Sequence, residues 1–421
     1  MTEVRGAMFV PAICVIVALR PEIFFSVLGV LGLSYEGSDS SPVYQVFLIV
    51  LAGVMVVVYV QMLSRLKAVP LRLLLLLVMP LILASVYAFD SATGRTEVVS
   101  QLSFRMAIVF AYPSVLAGAV CAQERVREKL GGWLGALIWV LSAAVISSSY
   151  GYLVGESEDR GLGGASYQTA GYIGALAFNL NLACLLHGRV LSMPVWMTRK
   201  WYRIAALVLL PVQVFGVLLT GARGATVAMI VGLVVLGGLA MHARSKGGVG
   251  RFFLVLAVLL SVGGVGLSRL SSVPTAGRVL ERVFAYIGDS GVDWEGTSGR
   301  GDVYGSAFEA IDESPFFGYG LFSWGSESYP HNLFLELMLN GGVLYLGVSV
   351  LIIGVLMVKL LRSPFENVVV IAFAIYPLVM LQFSGSYWTA GSFWFVLGYA
   401  LVVGVQGVRG VEPSRADGSG V

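Results

Sequence analysis

One histidine, His331, is a candidate general acid or base. His331 lies in the segment YPHNLFLELMLNGG, where a long polar stretch meets an apolar run. An imidazole titrates near neutral pH, so it suits proton transfer. The alternative interpretation is that His331 only caps the start of a helix. His187 and His242 lie beside arginines in short connections, where a solvated role is expected.

Two arginines follow patterns typical of anion binding. Arg223 lies in LLTGARGATVAM, a tight turn between two apolar runs. A charge this close to hydrocarbon is costly unless it is paired or reaches the interface, and a bound anion would satisfy it. Arg300 lies in the glycine-rich GTSGRGDVYG at a predicted helix start, where backbone N–H groups also attract anions. The alternatives are snorkelling for Arg223 and an ion pair with a neighbouring aspartate for Arg300.

Arg160 is a third candidate for anion binding. Glu158 and Asp159 stand beside it, so a structural ion pair is an equal alternative. A guanidinium group binds two phosphate oxygens at once. Arginines without lysines at an apolar surface therefore indicate a focused site for a phosphate-bearing lipid.

Composition places these residues in a membrane protein. Apolar residues make up 57% of the 421-residue chain and charged residues only 12%, whereas a typical soluble domain has about 25% charged residues. The net charge of +3 is small and the basic residues are scattered, which excludes a nucleic-acid-binding protein. Long apolar runs recur along nearly the whole chain. The predicted fold class is therefore an all-α, polytopic transmembrane helical protein embedded in a lipid bilayer.

Twelve apolar runs approach the roughly 20 residues that cross a bilayer. They lie near residues 7–33, 42–63, 71–89, 104–122, 131–153, 169–187, 203–220, 224–241, 252–268, 332–358, 367–384 and 389–406. Arg20-Pro21-Glu22 interrupts the first run, so one kinked span and two half-spans are both open. The predicted organisation is spans one to nine in 1–268, a catalytic loop at 269–331, spans ten to twelve in 332–406 and a tail at 407–421.

Basic residues near the ends of short loops predict the orientation. All five lysines lie in connections on one side, in SRLK, QERVREK, TRKWYR, HARSKGGVGR and VKLLR. That side is predicted to be cytoplasmic and to hold both termini. The opposite side carries arginines without lysine and the long loop. In that loop VLERVFAYI (279–287) and GDVYGSAFEAI (301–311) predict two short amphipathic helices.

Metal and cofactor motifs are missing from the sequence. No paired-aspartate motif occurs on an outer loop, and neither a P-loop nor an HExxH motif is present. The three cysteines have no partner at metal-like spacing. No metal and no cofactor are therefore expected.

Four stretches together resemble a known family. SGR (298–300), AFEAIDESPFFGYG (307–320) and PHNLFLELMLNGGVLYLG (330–347) resemble the shared signature of the bacterial O-antigen ligase and O-antigen polymerase superfamily. TGARGA (220–225) is similar to the family's upstream arginine turn, except that Ala222 stands where the family usually has serine. The twelve-span layout and the large outer loop agree with this resemblance.

The resemblance implies a metal-independent, inverting glycosyltransferase of the bacterial inner membrane with a periplasmic active site. Its donor would be a glycan linked to undecaprenyl diphosphate. His331 would be the general base that deprotonates the acceptor hydroxyl, and Arg223 and Arg300 would hold the diphosphate and stabilise its growing charge. Further substrate contacts are expected at Arg160, Asn332, Glu336 and Tyr319.

Two acceptors remain open within this reaction class. The preferred interpretation is an O-antigen ligase that attaches O-polysaccharide to lipid A-core. The alternative is an O-antigen or exopolysaccharide polymerase that joins lipid-linked repeat units. A lipid or polysaccharide transporter would be a different class. It is disfavoured because transporters place ionisable groups or broken helices in mid-membrane, whereas almost all acids here lie at span boundaries or in the long loop.

Overall fold

The computed structural model describes most of the chain. The described residues are 2–33, 35, 42–66, 69–94, 98–153, 161–187, 195–242, 246–271, 287–288, 291–292, 300–322 and 330–403. Within them the structure is almost entirely helical, and one pair of two-residue strands, β1 (Ile287–Gly288) and β2 (Gly291–Val292), runs antiparallel. The predicted all-α class is confirmed.

The helices follow one another with short connections. In chain order they are α1 (Thr2–Ala18), α2 (Arg20–Val30), α3 (Pro42–Ser64), α4 (Leu71–Ala92), α5 (Val98–Met106), a π-helix (Ala107–Ala111), α6 (Tyr112–Cys121), α7 (Glu124–Leu153), α8 (Tyr167–His187), α9 (Val195–Thr198), α10 (Lys200–Thr220), α11 (Arg223–His242), α12 (Lys246–Ser271), α13 (Arg300–Glu313), α14 (Leu333–Arg362), α15 (Val368–Phe383) and α16 (Gly391–Val402).

Each predicted span corresponds to helical structure. In the described part of the chain, eight helices are long and apolar enough to cross a membrane, and a bent pair formed by α1 and α2 adds a ninth. Residues 248–262, α15 and α16 are shorter apolar helices at the positions of the three remaining spans. The chain is thus a polytopic helical membrane protein, while the count of twelve spans and the division into four regions stay predictions.

Arg20-Pro21-Glu22 divides the first apolar run into two helices. α1 ends at Ala18, α2 begins at Arg20, and the two are bent by 94°. Pro21 lies in the first turn of α2, where its missing N–H costs no helical hydrogen bond and its fixed φ angle suits the helix start. Residues 7–33 thus contain two helices, while one kinked span and two half-spans both stay predictions.

Arg20 ties this break to the π-helix. Its side chain is 3% exposed, and Nη1 and Nη2 donate to the carbonyl oxygens of Val109 and Phe110 at 2.7 and 3.1 Å. The guanidinium also lies 4.6 Å from the centre of the Phe110 ring. A buried charge needs such partners, because an unsolvated cation is expensive. The irregular helix therefore provides acceptors for a charge that interrupts the first apolar run.

Glu22 is a buried acid in the same break. Its carboxylate accepts a hydrogen bond from Tyr376 Oη at 2.5 Å. Glu22 is a buried exception to the expectation that almost all acids lie at span boundaries or in the long loop. The sequence marks the interruption, but only the sharp bend turns these residues inward rather than toward an interface.

α8 forms the centre of the bundle, in contact with α7, α10, α11 and α15. Buried polar side chains connect α8 to two of these helices: Asn181 Nδ2 of α8 donates to Gln213 Oε1 of α10 at 3.1 Å, and Gln213 Nε2 donates to Ser142 Oγ of α7 at 2.7 Å.

α6 and α16 approach so closely that a Cβ on Gly118 would lie 2.0 Å from the Phe395 carbonyl oxygen. Small residues permit this backbone approach, as in many membrane helix pairs.

The long loop contains one of the two predicted helices. The segment 301–311 is helical as α13, which extends from Arg300 to Glu313. Most of the other predicted helix, 279–287, lies outside the described residues. Its last residue, Ile287, belongs to β1 and pairs with Val292 instead of continuing a helix.

Candidate active site

Asn332, not His331, caps α14. The Asn332 Oδ1 atom accepts hydrogen bonds from the backbone N–H groups of Phe334 and Leu335 at 3.0 and 3.2 Å. Asparagine at this position satisfies N–H groups that the first helical turn leaves without partners. The alternative role considered for His331, a helix cap, thus belongs to its neighbour. A substrate contact by Asn332 stays a prediction.

The backbone presents His331 in an unusual conformation. Its φ angle is 50°, in the left-handed region, which costs a non-glycine residue roughly 1–3 kcal/mol and tends to occur at functional sites. The residue is partly exposed, while its Nδ1 atom is shielded from solvent.

A kink inside α14 lies beside the turn at 315–320. Gly341 and Gly342 depart from helical geometry, and Gly342 has φ 65° and ψ −165°, a combination essentially restricted to glycine. The Val343 N–H donates to the Pro315 carbonyl oxygen and the Tyr319 N–H donates to that of Leu339, both at 2.8 Å. The kink was not predicted. It frees backbone groups of α14 to hold the proline and glycine turn of the long loop.

Tyr319 is positioned by this turn. Its hydroxyl donates to Glu313 Oε2 at 2.8 Å. Desolvation and, after it, the Glu313 carboxylate raise the pKa of Tyr319, so the hydroxyl stays protonated near neutral pH. Tyr319 is partly exposed, and its predicted contact with substrate stays a prediction.

Glu336 fixes the connection between α15 and α16. Its side chain is 7% exposed; Oε1 accepts a short hydrogen bond from Ser386 Oγ, and Oε2 accepts from the Tyr387 N–H at 3.2 Å. The carboxylate therefore holds the segment 384–390, which we call the serine–tyrosine segment, against the first turns of α14. Direct binding of substrate by Glu336 stays a prediction.

A second polar contact joins the same two parts. Asn340 Nδ2 donates to Tyr387 Oη at 2.8 Å, and the hydroxyls of Tyr345 and Tyr387 lie 3.4 Å apart. Burial raises the pKa of Tyr387 well above its usual range, so this phenol is neutral. Phe322, at the end of the 315–320 turn, contacts the ring of Trp388 with centroids 4.6 Å apart. The turn, α14 and the serine–tyrosine segment thus form one surface around the start of α14.

Arg223 is the first residue of α11. α10 ends at Thr220, and Gly221 adopts φ 72°, a left-handed conformation that ends a helix and reverses the chain. The Thr220 Oγ1 atom accepts a hydrogen bond from the Ala222 N–H at 3.2 Å. A Cβ on Gly171 would come within 2.4 Å of the Ala222 Cβ, so a small residue fits at 222. The turn leaves Arg223 partly exposed at a helix N-terminus.

The start of α11 lies beside the start of the serine–tyrosine segment. A Cβ on Gly224 would lie 2.9 Å from the Cβ of Phe383, the last residue of α15, and 2.0 Å from the Tyr172 hydroxyl. The next residue, Ser384, donates through Oγ to Gln168 Oε1 at 3.1 Å. Phe383 thus contacts the start of α11, and three residues later Ser386 contacts Glu336 of α14. Arg223 and His331 therefore lie at the same end of the bundle.

The two remaining arginines are described less fully. Arg300 is the first residue of α13, as predicted from its glycine-rich context, and α13 contacts α14. The side chain of Arg300 is outside what the structure describes. Arg160 lies outside the described residues altogether. Both assignments stay predictions.

Sequence reasoning did not identify the serine–tyrosine segment as part of this surface. Its sequence, SGSYWTA, combines small polar and aromatic residues between two strongly apolar runs, which is a usable signal. Glu336, which binds the segment, lies about 50 residues earlier in the chain, so no local pattern connects the two.

In the described part of the chain, no group of three or more His, Cys, Asp or Glu side chains forms a potential metal site.

Comparison with known families identifies the segment that carries these residues. The family model described as O-antigen ligase matches residues 205–347. The resemblance to the O-antigen ligase superfamily is confirmed. The O-antigen ligase segment covers about a third of the chain, from within α10 to within α14. It contains most of the predicted site residues, namely Arg223, Arg300, Tyr319, His331, Asn332 and Glu336.

The family match supports an O-antigen ligase or polymerase type of function in general. It implies lipid-linked glycan substrates and agrees with the multi-pass membrane architecture. Neither the comparison with curated proteins nor that with solved structures gave a match. Arg160 and the serine–tyrosine segment lie outside the O-antigen ligase segment.

Proposed function

We propose that this protein is a glycosyltransferase that moves a glycan from undecaprenyl diphosphate to an acceptor hydroxyl at the periplasmic face of the bacterial inner membrane. The preferred acceptor is lipid A-core, which makes the protein an O-antigen ligase. The observation that carries the proposal is the family match over residues 205–347. That segment contains both His331 and Arg223, which lie at one end of the bundle. The arginine-only character of that end supports its periplasmic orientation.

The proposed reaction is a single displacement with His331 as general base. The acceptor O–H gives its proton to Nε2 of His331, since Nδ1 is buried, as its oxygen attacks the anomeric carbon of the donor sugar. The bond between that carbon and the diphosphate oxygen breaks on the opposite face, so the configuration inverts. The bonding electrons leave with undecaprenyl diphosphate.

Arg223 is assigned to the leaving diphosphate. Its position adds a guanidinium to the N-terminus of a 20-residue helix, and both favour an anion. Arg300 begins α13 and is assigned the same role. Preorganised cations act on the charge that develops as the bond breaks, and two guanidiniums suffice for a leaving group that is already stable. This division of roles requires no metal ion.

An apolar groove beside Arg223 supports a lipid-linked donor. The groove has a volume of about 190 Å³ and is lined on α11 by Thr226, Met229, Ile230 and Leu233, and on neighbouring helices by residues such as Leu218. These α11 residues lie three to ten positions beyond Arg223, or about 5–15 Å from it along the helix axis. A diphosphate at Arg223 would leave its prenyl chain next to this groove.

The direct test is a reaction with purified protein, lipid-linked glycan and each candidate acceptor, with and without chelator. Glycan on lipid A-core would establish the ligase, and lengthened carrier-linked chains would instead establish the polymerase. Loss of turnover with chelator would contradict the metal-independent mechanism. Movement of carrier lipid across vesicles without any new glycosidic bond would contradict the proposal as a whole.

A further inference from the structure

A charged cavity lies at the end of the bundle opposite His331. Its volume is about 300 Å³. Its walls come from the last turn of α14, the connection to α15, the start of α7 and the end of α16, and its polar lining includes Glu124, Arg127, Lys359, Arg362, Glu366 and Asn367. α14 begins two residues after His331 and its last turn lines the cavity; the part beyond the kink, residues 343–362, alone extends about 30 Å. The cavity is therefore separate from the candidate active site.

Cations outnumber carboxylates around the cavity. In the described structure, the ion pair found there joins Arg127 Nη1 to Glu366 Oε2 at 3.6 Å, and Glu366 is 64% exposed. That distance exceeds a good hydrogen bond, and an exposed pair of this kind contributes little. The guanidinium of Arg127 can therefore take up an additional anionic partner.

Lys359 and Arg362 supply two more positive charges. Lys359 Nζ donates to the Leu401 carbonyl oxygen at 2.8 Å, which occupies one of the three donors of an ammonium group. Arg72 of α4 is close enough to interact electrostatically with Lys359. Like charges held near one another favour an anion between them. Arg362 is exposed at the mouth of the same cavity.

The surroundings identify the kind of anion. The outward side of α14 next to the cavity is aliphatic, with Val355, Val358 and Leu361 between 50% and 59% exposed, as expected of a lipid-facing surface. The connections that hold the five lysines, among them Lys359 beside this cavity, are predicted to be cytoplasmic by the positive-inside rule. Basic pockets between helices at that level are suited to phosphate-bearing lipid headgroups.

We propose that the cavity lined by Arg127, Lys359 and Arg362 binds a phosphate-bearing anion, namely the headgroup of an anionic glycerophospholipid. The guanidiniums of Arg127 and Arg362 and the ammonium of Lys359 contact the phosphate oxygens, and the acyl chains lie along the aliphatic side of α14. The bound lipid joins the end of α14 to the starts of α7 and α15. This site does not depend on the catalytic proposal.

The test measures thermal unfolding of the full-length protein in neutral detergent during titration with three separate probes. These are phosphatidylglycerol, zwitterionic phosphatidylcholine and inorganic phosphate. Phosphatidylglycerol is expected to raise Tm in a saturable way, because a ligand that binds only the folded state stabilises it. Arg362→Gln is expected to weaken its apparent affinity by about tenfold, the effect of one charge-assisted contact.

Arg203→Gln is the matched control, because Arg203 is also an exposed arginine at the lysine-bearing end but does not line the cavity. It is expected to leave the titration unchanged. A shift with inorganic phosphate that Arg362→Gln also weakens would support the phosphate site and identify free phosphate as a second source. The proposal is overturned if neither anionic probe shifts Tm, if phosphatidylcholine acts equally, or if Arg362→Gln binds as the wild type does.

Discussion

Gly342→Ala tests whether the kink in α14 organises the active site. Gly342 has φ 65° and ψ −165°, and a Cβ there would lie 2.2 Å from the carbonyl carbon of Phe316. The backbone conformation costs an alanine about 1–3 kcal/mol, and overpacking against backbone adds about 1–3 kcal/mol. We expect a total destabilisation of about 2–6 kcal/mol, together with displacement of the turn that carries Tyr319.

The matched control lies five residues further along the same helix. A Cβ on Gly347 would have no neighbour within 4 Å. Gly347→Ala should therefore be neutral or stabilising by up to about 1 kcal/mol. Both variants are compared by thermal unfolding in detergent and by glycan transfer to the acceptor identified for the wild type. Equal stability and equal transfer rates for the two variants would refute the account of the kink.

Three further substitutions test other parts of the site. Glu336→Gln replaces one carboxyl oxygen by an NH2 group that cannot accept a hydrogen bond from Ser386 or the Tyr387 N–H, so Tm should fall, with a loss of about 1–3 kcal/mol, whereas the same change at exposed Glu309 should have no effect. Arg223→Lys keeps the charge but loses the planar fork, so donor binding should weaken about tenfold, and Arg223→Ala should weaken it further; unchanged binding in the alanine variant would contradict the assignment. Leu233→Trp should raise KM for a long-chain prenyl donor but not for a short-chain analogue, and equal effects on both would argue against the groove.

The membrane architecture could be predicted because it depends on local composition. Each long apolar run is helical in the structure, since the backbone N–H and C=O groups of a segment in a bilayer must form hydrogen bonds within that segment. The loop helix was predicted at 301–311 and is found at Arg300–Glu313. The interruption at Arg20-Pro21-Glu22 was also visible, because a proline between two charged residues is a strong local signal.

Features that depend on distant parts of the chain could not be predicted. Asn340-Gly341-Gly342 is a local signal for a break in α14, but the geometry of the kink follows from contacts with Pro315 and Phe316 of the long loop. Arg20 finds its acceptors 89 and 90 residues away. The sequence analysis considered only His331 as a cap of α14, whereas the shorter asparagine side chain takes that position because its carbonyl oxygen reaches the first N–H groups.

The central claim is that His331 moves the acceptor proton while Arg223 holds the donor. The most direct measurement is single-turnover transfer by His331→Ala, with donor affinity determined in parallel and with His242→Ala, at the exposed end of α11, as control. The account predicts a rate lower by about 10²–10⁴-fold in His331→Ala, with donor affinity unchanged, and a wild-type rate in His242→Ala. A wild-type rate in His331→Ala, or a loss confined to donor affinity, would contradict it.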